Sequence, residues 1–137
     1  MFKPIYHPAK AGSTLSMPWY KSIINSTGST TRFLMDNYPG VEFRVVGQEE
    51  KSGSIIRTSE FVLGEKVIVH STVEMPVDKN PAEFIREMRA RSKPIGDVIR
   101  DNGYAVERRI TAHDTVFKEY EMVGDVSIRI TEFYYDM

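Results

Sequence analysis

The chain's 137 residues, 41% of them apolar, make one domain with enough side-chain volume for a core. Its 18 basic and 19 acidic residues leave a formal charge of −1, which excludes the basic excess expected of a nucleic-acid-binding face. With no Cys there are no disulfides, thiolate metal sites or cysteine nucleophiles, and the longest apolar runs, at 61–63 and 67–69, are strand-sized.

The opening MFKPIYHPAK has no apolar stretch of the secretory kind, so a cytoplasmic protein without a membrane span is expected. Residues 1–18, rich in Pro, Gly, Ser and Lys and without a period, are expected to be an N-terminal arm; 19–137 then form one domain. Trp19, Tyr20, Ile23 and Ile24 suit one or two helical turns. Ser29 can cap a short helix carrying Phe33 and Leu34, which Tyr38-Pro39-Gly40 ends. Residues 41–46 read as a strand and 47–53 as a polar connection.

Two Val- and Ile-rich runs in 55–75 flank Gly64-Glu65-Lys66, a hairpin signal. A two-residue turn at Gly64-Glu65 gives two mixed faces. A three-residue turn pairs Leu63 with Val67, Phe61 with Val69, Ser59 with Ser71 and Arg57 with Val73, and makes one coherent face. This second register is the expected one. It points Arg57 inward among apolar neighbours and puts Thr58, Glu60, Ile68 and His70 on the other side.

Asn80-Pro81 predicts a helix start with Asn80 as cap, and Phe84, Ile85 and Met88 form the apolar face. Lys93-Pro94 breaks that helix, and a second one over 95–102 stops at Gly103. Strands over 104–110, 115–123 and 126–135 complete the chain. The fold class is therefore α+β: a mainly antiparallel sheet of about six strands with a few helices packed on it.

No phosphate-cradling glycine motif and no Gly-x-Ser-x-Gly elbow is present. His7, His70 and His113 lie far apart without ligand spacing, so no metal site is expected. Arg86, Arg89 and Arg91 read as a solvated helix face, and Trp19 as core.

Two residues break the binary pattern. Arg57 is one; the other is Glu132, which shares a strand face with Val126, Ile128, Ile130 and Tyr134. An unpaired buried charge costs several kcal/mol, so a folded chain pairs it, shifts its pKa or reserves it for a ligand. Arg57 and Glu132 can pair with each other or with surface partners. Alternatively they line one cavity in which Arg57 grips a carboxylate and Glu132 acts on a hydroxyl or proton at the far end. Such a cavity fits a small aromatic or cyclic acid. Ser59 and Ser71 face the same way, as core hydroxyls or as ligand contacts.

Taken together, segments of 20–135 resemble the compact bacterial and archaeal branch of the chorismate pyruvate-lyase family. The resemblance rests on Gly28-Ser29-Thr30-Thr31-Arg32-Phe33, on Arg57 in the run RTSEFVLGEKVIVHSTVEMP, on Lys93-Pro94-Ile95-Gly96, and on Ile130-Thr131-Glu132-Phe133. It implies a chorismate lyase-like fold, shared with ligand-sensing domains of certain transcription regulators. It also implies a cofactor-free lyase that converts chorismate to 4-hydroxybenzoate and pyruvate.

By the same resemblance, Arg57 binds the ring carboxylate, and backbone amides around Ser29 and Thr30 add donors. Glu132 stands by the ring hydroxyl, orienting it or moving a proton, and Ile95 and Gly96 shape the wall. The family favours a large apolar residue after the serine, where this chain has Thr30. The partner expected is a small cyclic carboxylate; a non-catalytic binding domain of the same fold, or an enzyme acting on a related cyclic acid, are the alternatives.

Overall fold

The computed structural model describes residues 18–137, so the expected arm lies almost wholly outside the described residues. In chain order the elements are α1 (Thr30–Asn37), β1 (Glu42–Lys51), β2 (Ser54–Leu63), β3 (Lys66–Pro76), α2 (Ala82–Arg89), α3 (Ile95–Asp101), β4 (Val106–His113), β5 (Phe117–Gly124) and β6 (Ser127–Tyr134). The strands form a six-stranded sheet in the order β1-β2-β3-β6-β5-β4, antiparallel at every pairing. This is the α+β architecture expected from the sequence. None of the helices among the described residues is long and apolar enough to cross a membrane.

Three local expectations are corrected. The polar stretch 47–53 is not a connection: β1 runs on through it to Lys51. A bulge between Val45 and Gly47 leaves Val46 without a partner and 48% exposed. The bulge breaks the alternation that a strand reading relies on, and an edge strand tolerates the charges that follow. The hairpin then closes through Ser52 and Gly53, both left-handed at φ 53° and 80°, the geometry of a two-residue turn between twisted strands.

The β2–β3 hairpin combines both registers weighed from the sequence. Its tip is the two-residue turn, with Leu63 opposite Lys66 rather than Val67, but a bulge after Phe61 restores the other pairing. Phe61 thus faces Val69, Ser59 faces Ser71 and Arg57 faces Val73, as expected. Ile68, expected on the outer face, sits at this bulge and is fully buried.

Finally, Asn80 does not cap α2, whose N-terminus has no side-chain cap. Its amide instead donates to the Pro76 and Ser127 carbonyls, at 2.6 and 2.9 Å, and accepts from the Ser127 N–H. It ties the end of β3 to the start of β6. Ser29 does cap α1, accepting from the Arg32 N–H at 3.2 Å.

Two apolar clusters cover one face of the sheet. In the first, Phe84, Ile85 and Met88 of α2 and Val98 and Ile99 of α3 pack on Ile55, Val73, Met75, Met122, Ile128 and Ile130. In the second, Tyr20, Ile23 and Leu34 pack on Phe61, Ile68, Val69 and Tyr134. Trp19 joins it by an edge-on contact with Tyr20 and donates its indole N–H to the Tyr135 carbonyl. Between the clusters, cross-strand partners place Ser59, Ser71, Glu132 and Lys118 in one row over β2, β3, β6 and β5. The sheet's inner face is therefore apolar at both ends and polar across its waist.

Candidate functional site

Ser59, Ser71 and Glu132 of the polar row floor a cavity roofed by the first residues of α1 (Thr30, Thr31, with Ser29 before them) and of α3 (Ile95, Gly96, with Pro94 before them). Gly96 allows this approach. A Cβ there would lie 3.3 Å from both the Ser29 and Thr31 hydroxyl oxygens, tight enough that these side chains must give by a few tenths of an ångström. Every residue singled out from the sequence, Arg57, Glu132, Ser29, Thr30, Ile95 and Gly96, lines this cavity, as do Ser59 and Ser71. The space left free is about 30 Å³, room for about two waters. A ligand with ten or more heavy atoms enters only if lining side chains move aside.

Arg57, on β2, is 1% exposed. Its Nε donates to Gln48 Oε1 at 2.9 Å, Nη1 to the Lys93 carbonyl at 2.8 Å and Nη2 to the Met88 carbonyl at 3.0 Å. Gln48 is itself fixed by donating to the Met88 carbonyl. All three acceptors are neutral, and among the described residues no carboxylate pairs with this guanidinium. Burial, reinforced by the nearby Arg91 charge, pulls Arg57 below the ordinary arginine value to about 10, which leaves it cationic at neutral pH. A buried cation on neutral dipoles alone is matched in geometry but not in charge.

Glu132, on β6, is 5% exposed and two strands away from Arg57. The two groups do not pair. Three hydroxyls donate to the carboxylate instead: Thr30 to Oε1 at 2.7 Å, Tyr134 to Oε1 at 2.7 Å and Tyr120 to Oε2 at 3.4 Å. Burial first, and then the Glu132 charge, raise the pKa of both tyrosines, so they remain protonated donors. Thr30, at the start of α1, thus closes the roof by bonding to the floor. Ser59 and Ser71 bond to each other at 2.8 Å and read as core hydroxyls.

Two charged residues of the site were missed from the sequence. Lys118, 1% exposed on β5, is Glu132's cross-strand partner. Its ammonium donates to the Ile23 and Ser26 carbonyls at 2.8 and 3.1 Å and lies 5.1 Å from the Tyr120 ring centroid. Burial lowers its pKa, which Glu132 opposes. Arg108, on β4, lines the cavity from the far side, and its buried Nε–H has no partner. Both were legible by the test that found Arg57: Lys118 alternates with Tyr120 and Met122, and Arg108 lies between Val106 and Ile110 on one strand face.

Among the described residues no group of three or more His, Asp or Glu side chains could hold a metal ion. A scan against protein-family models and a search of curated proteins gave no match for this chain.

Proposed function

We propose that this protein binds a small cyclic carboxylate between Arg57 and Glu132 and acts as a chorismate pyruvate-lyase, yielding 4-hydroxybenzoate and pyruvate. The observation that carries the reading is Arg57: a cation 1% exposed, aimed into a cavity and held by neutral acceptors only. A carboxylate supplies the charge that the protein leaves out, through the fork geometry that a guanidinium favours.

The reaction asks little of the protein. Chorismate carries an enolpyruvyl ether on a ring carbon next to one that bears a hydroxyl and a hydrogen. Breaking the ether C–O bond releases the enolpyruvyl group with its electron pair. The neighbouring C–H bond gives its electrons to the ring, which becomes aromatic, and its proton passes to the leaving group, which ends as pyruvate. Atoms and charge balance without a co-reactant. Holding the reactive conformer then supplies several kcal/mol of the barrier. Arg57 anchors the ring carboxylate, and Glu132, kept still by its hydroxyl donors, accepts from the ring hydroxyl at the opposite end.

One observation favours a second reading, a binding domain without turnover. Glu132 already accepts from three hydroxyls, which suits a fixed acceptor better than a base that must take up a proton. The test is direct. Purified protein is incubated with chorismate while 4-hydroxybenzoate and pyruvate are followed in equal amounts. Equimolar formation, lost in Arg57→Ala, supports the lyase. Tight chorismate binding without either product supports the binding domain, and no binding at all overturns both.

A further inference from the structure

We infer that the cavity is built for a dianion, and that Arg108 holds the second of its two anionic groups. This rests on the reading that Arg57 takes the first, and it extends that reading from a carboxylate to a molecule carrying two.

The argument is one of matching charges. Arg57, Arg108 and Glu132 line the cavity, and Lys118 stands opposite Glu132 on the next strand. Lys118 and Glu132 are cross-strand partners and offset each other. Arg57 has neutral acceptors only, and Arg108 has no ion-pair partner among the described residues, although every other arginine on β1 and β4 has one: Arg44 with Glu60 at 2.9 Å and Arg109 with Glu107 at 2.9 Å. Two guanidiniums lining one cavity without a matching carboxylate call for two negative charges.

Arg108 carries a second mark. Its Nε–H is buried without any hydrogen-bond partner, and an unsatisfied buried donor costs about 1–3 kcal/mol. Occupation by an anionic oxygen removes that penalty.

Its position says which end of the ligand it serves. Arg108 also lines an outer cleft of about 480 Å³, which shares Ser29 and Gly96 with the inner cavity. Arg57 stands on the far side of the cavity, on β2. A ligand whose first carboxylate reaches Arg57 therefore presents its second at the wall between cavity and cleft. For chorismate this second group is the enolpyruvyl carboxylate, and the cleft gives the three-carbon product a way out that the ring need not follow.

The experiment compares ligands with two carboxylates and one. Chorismate, followed by its KM where it is turned over and by calorimetry where it is not, and 4-hydroxybenzoate, followed by calorimetry, are compared on the wild type and on Arg108→Ala, Arg108→Gln and Arg108→Lys, whose folding is checked by thermal melting. Loss of the guanidinium should weaken chorismate about 20- to 100-fold, as expected for a lost charge-assisted pair, while 4-hydroxybenzoate keeps its affinity within about threefold. Arg108→Lys should recover most of the loss for chorismate. Equal weakening of both ligands, or of neither, overturns the inference even where the wild type turns chorismate over. A selective loss of chorismate affinity in a wild type that forms no product sustains the dianion site while the lyase reading fails.

Discussion

The two ends of the polar waist solve the problem of a buried charge in opposite ways. At the Glu132 end the protein supplies everything: three hydroxyl donors and, on the next strand, the Lys118 ammonium. At the Arg57 end it supplies geometry without charge, through Gln48 and two main-chain carbonyls. The first end is complete by itself. The second lacks a matching charge, and on the proposed reading that asymmetry marks where a ligand's carboxylate belongs and which group acts as the fixed frame.

The strongest way to break the comparison is to remove the incomplete end. Arg57→Ala should lower kcat/KM for chorismate by about 10²–10³-fold, the loss typical of a buried charge pair deprived of one member. Arg57→Lys should recover only part, because an ammonium lacks the fork. Unchanged kinetics in Arg57→Ala would place the carboxylate elsewhere.

At the complete end, Glu132→Gln keeps the shape and removes the charge. For a lyase kcat should fall about 10²–10⁴-fold, with 4-hydroxybenzoate affinity far less affected. Equal losses in kcat and product affinity would mean that Glu132 only holds the ligand.

Lys118→Met sharpens the comparison through stability. It removes two bonds to the Ile23 and Ser26 carbonyls and leaves Glu132 without its neighbouring cation. Urea unfolding should show a loss of about 2–4 kcal/mol. The pH dependence follows from the sign of the shift. Burial lowers the native pKa below the ordinary 10.5, so between the two values the unfolded chain binds more protons. Stability from this group therefore rises with pH up to about 10.5, and Lys118→Met should flatten that slope.

The smallest effect belongs to the roof. In Gly96→Ala the added carbon meets the Ser29 and Thr31 hydroxyls at 3.3 Å, while alanine favours the helix by about 1 kcal/mol. The melting temperature should shift by no more than a few degrees, and KM for chorismate should rise. A change in melting temperature with KM untouched would assign Gly96 to packing alone.

Much of the frame was readable from the residues in order. Alternation in β2, β3 and β6 correctly turned Arg57, Ser59, Ser71 and Glu132 inward, and Phe84, Ile85 and Met88 buried α2. Where a bulge inserts one residue, as at Val46 and Ile68, alternation misleads, because the pairing that creates the bulge lies on another strand. Asn80 looked like a cap for the same reason: two of its three competing bonds are with Ser127, 47 residues away on β6. Lys118 and Arg108 are marked in the sequence only by sharing strand faces with apolar residues, the same alternation that turns Arg57 inward.

By itself the chain order determined that a guanidinium and a carboxylate turn toward the core, since the pleat has a period of two and leaves them no other side. It left open whether they meet. Only the order β1-β2-β3-β6-β5-β4 sets β3 between them, gives Glu132 to Lys118 and to hydroxyls from α1, β5 and β6, and leaves Arg57 facing the cavity beside carbonyls. Those neighbours come from distant parts of the chain, and close packing, rather than local pattern, selects among them.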